Sequence, residues 1–196
     1  MRNAPSRIAK LSATAAALVV LVAHVADPAA ARSPEQEPSS LLGSYLSGRI
    51  ARGQNDTAAA SEFYERALEK DPGNEALIEQ ALMMQAAEGR FEGAIGLAKE
   101  LIALQPSHRM ANLVLGLSEA KAGHYAQAKD YFKLSSAGLM GELTSALARA
   151  WMFAGEGDVK AAGDLLDGVR QAEWAQFYLR YHKALINDLA GRKQEA

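Results

Sequence analysis

The 196-residue sequence predicts an all-α solenoid of antiparallel helix pairs, and three observations carry that prediction. Alanine recurs at Ala60, Ala94, Ala128, Ala162 and Ala196, each 34 residues after the last. Gly89, Gly123, Gly157 and Gly191 keep the same step, as do Pro72 and Pro106. The position twelve before each alanine reads Gly48, Leu82, Gly116, Ala150 and Ala184, small in four cases of five. A fixed period of this length marks repeated supersecondary units, each of which buries its apolar face only by stacking on its neighbours. The 49% hydrophobic content supplies a core, and its wealth of Ala and Leu suits helices more than strands.

The chain opens with a different pattern. Arg2, Arg7 and Lys10 precede an apolar run from Leu11 to Ala26, followed by Asp27-Pro28 and the small triplet Ala29-Ala30-Ala31. That order is a cleavable secretory signal, residues 1–31, with cleavage expected after Ala31. As an uncleaved anchor the run is poor, being short, diluted by Ser12, Thr14 and His24, and stopped by Pro28. No cysteine follows it, which excludes a lipid anchor there; the chain has none at all, which excludes disulfides and thiolate metal sites. Residues 32–40, with two prolines and no apolar residue, read as a disordered spacer. Without the first 31 residues the net charge moves from −2 to −4, which gives no electrostatic reason to expect nucleic-acid binding.

The units follow in order: 41–74, 75–108, 109–142, 143–176 and a partial 177–196. In the first, Leu41, Leu42, Tyr45, Leu46 and Ile50 keep helical spacing up to the breaker Gly53-Gln54-Asn55. Asp56 or Thr57 caps the second helix, whose apolar face is Ala60, Phe63, Tyr64, Ala67 and Leu68. Pro72 ends it by barring the preceding residue from the helical region, and Asn74 caps the next unit. The later units repeat the plan, with first helices (A) at about 75–88, 110–122, 143–154 and 174–190. The second helices (B) lie at about 91–104, 125–135 and 158–169. Glycine occupies each A-to-B turn, where a positive φ is expected. Ser135 to Gly138 reads as a loose junction. Close packing explains the small columns: a small residue on helix A is expected to face the alanine on helix B. The residue four later (Tyr64, Ala98, Phe132, Leu166) fills the gaps between units.

These columns resemble the tetratricopeptide-repeat family, through Leu115-Gly116, Gly123, Tyr125, Ala128 and Phe132 in the third unit. In the first unit the matching residues are Gly48, Ala60, Tyr64, Ala67 and Pro72. The resemblance spans Leu41 to Ala196. It departs where the large aromatic early in helix A gives way to Ser44, Ile78, Asn112 and Ala146, and where Met140 and Trp174 replace proline. It implies a right-handed superhelical solenoid of about four and a half repeats, whose A helices line a concave, partner-binding surface. The sequence stops early in a fifth helix B, without a polar capping helix, so it reads as a piece of a longer protein.

No catalytic set emerges. His24, His108, His124 and His182 form no metal-binding pair, and no phosphate loop, dinucleotide fingerprint or Gly-x-Ser-x-Gly elbow occurs. The expectation is a non-enzymatic protein without cofactor or metal. Glu62, Glu65, Arg66 and Glu69 read as a solvated helix face. Two helix-A columns at the 34-residue step define the candidate concave face. One is Arg49, Met83, Leu117, Trp151 and Leu185; the other is Tyr45, Glu79, Leu113, Leu147 and Tyr181. The expected partner-binding residues are Tyr45, Arg49, Arg52, Met83, Leu113, Leu117, Leu147, Trp151 and Tyr181, with Trp and Met suited to adaptable contacts. Some family members grip a terminal carboxylate with a Lys/Asn/Arg cluster; Arg49 lacks those neighbours. The reading is an exported scaffold of the bacterial cell envelope that binds a protein or peptide. The alternatives are a docking region for a domain beyond residue 196, and self-association through the open end of the solenoid.

Overall fold

The computed structural model describes residues 40–170 and 173–195. The expected signal, most of the spacer and the last alanine of the column lie outside the described residues. Within them the chain forms α1 (Leu41–Gly53), α2 (Thr57–Lys70), α3 (Glu75–Ala87), α4 (Phe91–Leu104), α5 (Arg109–Lys121), α6 (Tyr125–Leu134), α7 (Gly138–Gly155), α8 (Val159–Gly168) and α9 (Glu173–Leu189). Each helix packs chiefly on its neighbours in sequence, so the fold is a linear stack of helix pairs.

Local chemistry fixes the helix ends. Ser40, which the sequence assigns to the spacer, caps α1 by accepting from the Gly43 amide. Asp56, Asn74, His108 and Asp158 do the same for α2, α3, α5 and α8 at 2.9–3.3 Å. The glycine turns have the expected left-handed φ, from +73° at Gly89 to +84° at Gly157. The first unit keeps the column with Asn55 (φ +59°), the residue 34 before Gly89 and the non-glycine type that best tolerates this region. Around each such residue the same bonds recur, as in Gly89 N–H to Ala86 C=O and Arg90 N–H to Gln85 C=O, which satisfy the last carbonyls of helix A. Pro72 and Pro106 each follow a helix that ends two residues earlier.

The third junction differs from the expectation. Without a proline at Met140, α7 begins at Gly138 rather than near Leu143 and runs for 18 residues. Its partner α6 stops early, at 10 residues. The carbonyl of Phe132 left free there accepts from Ser135 Oγ (2.8 Å) and from buried Ser145 Oγ (2.6 Å). The aromatic position early in helix A is filled by buried Ser44, Ile78, Asn112 and Ala146. Asn112 Nδ2 donates to the carbonyls of Pro106 and His108, both at 2.9 Å, and so ties the junction loop to α5.

The small column works in a way the sequence reading did not foresee. A Cβ on Gly48 would stand 3.1 Å from the Tyr64 ring, and one on Gly116 only 2.7 Å from the Phe132 ring. The glycine of helix A therefore has its nearest contacts with the ring four residues after the alanine. In the other units the two columns read Leu82 with Ala98 and Ala150 with Leu166, all buried. Where one partner is large the other is small, so the summed volume stays roughly constant and the helix spacing is preserved. The apolar core divides into one cluster across α1–α5 and another across α7–α9.

Gly116→Ala is expected to destabilise by about 1–3 kcal/mol through overpacking. Adding Phe132→Leu, which reproduces the Ala150/Leu166 combination, is expected to recover much of the loss. Thermal melts decide this: additive losses in the double variant would refute size complementarity. The buried Tyr64 hydroxyl has no hydrogen-bond partner, and burial pushes its phenol up despite the opposing pull of Arg52. A raised folded-state pKa leaves stability intact below the ordinary phenol range and erodes it as pH rises through that range. Tyr64→Phe should raise stability by about 1–3 kcal/mol and flatten the alkaline fall in the melting midpoint.

Candidate partner-binding groove

The start of helix B lies against the end of the helix A that follows it, and this junction opens a cleft. Between α4 and α5 the cleft has a volume of about 520 Å³ and is lined by Phe91, Glu92, Ile95, Val114, Leu117, Ser118, Lys121 and Ala122. Phe91 (55% exposed) and Leu117 (52% exposed) form its apolar walls. Glu92 and Lys121 place one charge of each sign on opposite helices.

A second cavity of about 700 Å³ spans the next two junctions, with Tyr125, Trp151, Met152 and Gly155 followed by Val159, Ile186, Leu189 and Arg192. Phe91, Tyr125 and Val159 are one column at the 34-residue step, and Ser118, Met152 and Ile186 another. The groove is thus the repeat written into the surface. The first of these columns was missed in the sequence reading, which looked only at helix A. Its signal was the recurrence of a large apolar residue two positions after each turn glycine.

Trp151 is half-buried and serves both core and groove. Its indole Nε1–H donates to His182 Nδ1 at 2.9 Å, with the two rings edge-on, and the side chain packs on the second core cluster. An indole only donates, so His182 holds its proton on Nε2. At the same junction a Cβ on Gly155 would stand 2.8 Å from the Tyr125 ring. Lys129 pairs with Glu156 and lies 4.0 Å over the Phe153 ring, joining α6 to the end of α7.

The remaining sequence-predicted residues are dispersed. Met83 packs on the first core cluster and Leu147 on the second. Leu113 lines a separate small cavity with Met110 and Met140. Tyr45 lies against the Tyr64 ring, with centroids 6.2 Å apart, and the Arg49 guanidinium sits 5.9 Å over Tyr45. Arg52 donates to Gln80 Oε1. The structure therefore brings Leu117 and Trp151 into the clefts, leaves Tyr45, Arg49 and Arg52 as a group on α1, and places Tyr181 on exposed α9. Among the described residues no three His, Asp or Glu side chains are arranged to hold a metal ion, and no helix is long and apolar enough to cross a membrane.

This arrangement is the fold of the tetratricopeptide-repeat proteins, and solved structures of that kind superpose on it. A protein described as MamA, residues 41 to the end, from Desulfovibrio magneticus RS-1 matches with a TM-score of 0.63 and 12% identity, over 81% of this chain and 89% of that one. A tetratricopeptide repeat protein from Parabacteroides merdae ATCC 43184 matches with a TM-score of 0.61 and 19% identity, over 84% of this chain and 64% of that one. The nearly identical TPR-like repeats of a Podosopora anserina kinesin light chain match with a TM-score of 0.60 and 17% identity, over 82% and 91%. No family model matches the sequence, and no curated protein matches it significantly.

Proposed function

We propose that this chain is an exported, non-enzymatic scaffold of the cell envelope that binds a protein or peptide in the clefts between its repeats. The single observation that carries the reading is the open apolar cleft between α4 and α5, with Phe91 and Leu117 exposed on its walls. A bound helix or extended segment that inserts apolar side chains there would cover surface that a soluble fold otherwise leaves wet. The cleft recurs at the following junctions, so a partner longer than one unit gains anchors at Trp151 and beyond. Export rests on the signal-like residues 1–31, and the protein class of the partner rests on the fold and on the acidic charge of the chain after Ala31.

Leu117→Asp places a charge on an exposed cleft wall, so it is expected to abolish capture of partners from an envelope extract while helicity by circular dichroism stays at the parent level. Capture undiminished by Leu117→Asp and Phe91→Asp together would remove the cleft from the mechanism. Export is checked separately: N-terminal sequencing of protein recovered from the envelope fraction should begin at Arg32, and a start at Met1 would rule out cleavage after Ala31.

A further inference from the structure

Trp151, half-buried at the groove, is tied to α9 by one histidine. Its indole Nε1–H donates to His182 Nδ1 at 2.9 Å, and the two ring planes stand at 86°. His182 sits at the border between two sides of α9. One side, with Ala175, Leu179 and Ile186, is anchored in the second core cluster. The other is an exposed ridge of Trp174, Phe177, Tyr178 and Tyr181. From that border the imidazole reaches α7 and holds the indole that walls the larger cavity with Met152 and Gly155. The bond belongs to this junction. At the earlier junctions the same two columns read Met83 with Val114 and Leu117 with Ala148, and none of these side chains titrates.

The bond exists in one protonation state. A neutral imidazole with its proton on Nε2 accepts at Nδ1, whereas an imidazolium carries N–H at both nitrogens and accepts nothing. Protonation would set Nδ1–H against the indole N–H, two donors 2.9 Å apart with no acceptor between them. Among the described residues the histidines paired with a carboxylate are His108 with Glu79 and His124 with Glu119, not His182. On α7, the positions three and four residues either side of Trp151 are Leu147, Ala148, Ala154 and Gly155. Arg149, two residues away, and Glu142, more than two turns away, fall on the opposite side of that helix. Glu156 is paired with Lys129. On α8, Asp167 pairs with Lys183 and Asp164 with Lys160. Arg192 lines the same cavity as Trp151 and pairs with Glu195 at 3.7 Å. Tyr181 meets His182 edge-on at 5.8 Å and Tyr178 lies one turn earlier, and phenols stay neutral in acid.

We propose that His182 is a positioning residue that holds Trp151 in the cavity wall while its imidazole is neutral and releases it on mild acidification. Imidazoles exchange their proton in the range of roughly pH 5 to 8, so the Trp151 cavity responds to pH there. The α4–α5 cleft, which no histidine lines, does not. A partner anchored at Trp151 is then held more weakly in acid. That consequence rests on the groove reading; the switch itself does not.

The full chain has two tryptophans, so Trp174→Phe leaves Trp151 as its one indole. In that background, lowering the pH from about 7.5 to about 5 should move the indole N–H resonance upfield and raise acrylamide quenching of its fluorescence. Both changes should follow the titration of the His182 ring, read from its own carbon resonance, while the backbone amides of Ala60 and Ala94 stay in place. His182→Asn, whose Oδ1 replaces Nδ1 as acceptor and binds no proton in this range, should show neither change. His182→Ala should show the acid level of quenching at every pH. An indole resonance that stays fixed while the His182 ring titrates would overturn the proposal, and so would an equal acid shift in His182→Asn. If His182→Asn departs from the parent's helicity, the match between the indole and imidazole transitions in Trp174→Phe decides alone. Neither readout needs a partner, so failure here strikes the switch and leaves the cleft reading to the Leu117→Asp and Phe91→Asp capture test.

Discussion

Gly48 and Gly116 leave room for the rings of Tyr64 and Phe132 to lie where a Cβ would otherwise stand. Every larger feature depends on that contact, because it sets the distance between helix A and helix B within a unit. The second unit inverts the arrangement with Leu82 and Ala98, and the fourth uses Ala150 and Leu166. One spacing is kept by three solutions. Units so built can then stack, and clefts recur at the junctions between α4 and α5 and beyond. A chain that varied either column alone would open a cavity or force a clash within the unit, at a cost comparable to a sizeable part of a small domain's stability.

The turns do complementary work. Asn55 and the glycines at 89, 123, 157 and 191 reverse the chain at one φ, and the bonds around them close the last carbonyls of each helix A. The reversal brings the first residue of helix B back beside the stack, which is why Phe91, Tyr125 and Val159 reach the end of the following helix A. The groove is therefore a consequence of turn geometry as much as of the residues that line it.

Much of the architecture is legible in the sequence, for a physical reason. Repeats make contacts mainly with their neighbours, so the constraints on each unit fall at fixed separations and appear as columns. Helix positions, the glycine turns, and the caps Asp56 and Asn74 are all local matters of this kind. The site was less legible. Leu117 and Trp151 were recognisable from their column, but Met83 of the same column and Leu147 of the neighbouring one pack against the core. Period alone places a residue on a helix face; it does not say how deeply the next helix covers that face. The early start of α7 escaped for a related reason. The absence of proline removes a stop signal without announcing where the helix will begin, and the Phe132 carbonyl that Ser135 and Ser145 satisfy is defined only once the chain has folded.

The sequence by itself determined the all-α class, the 34-residue unit, and the conformation of the turns at Gly89, Gly123, Gly157 and Gly191, because these follow from backbone preference and nearest-neighbour spacing. Tertiary structure alone decided which large side chain fills the space above each glycine, since the pairing of Gly48 with Tyr64 joins two columns whose contact depends on helix rotation. It alone separated the walls of the clefts from the core residues in the same columns. It also set the rings of α9 outward as a ridge, because the side of that helix that packs is chosen by the cluster of Leu179 and Ile186 and not by the aromatic residues themselves.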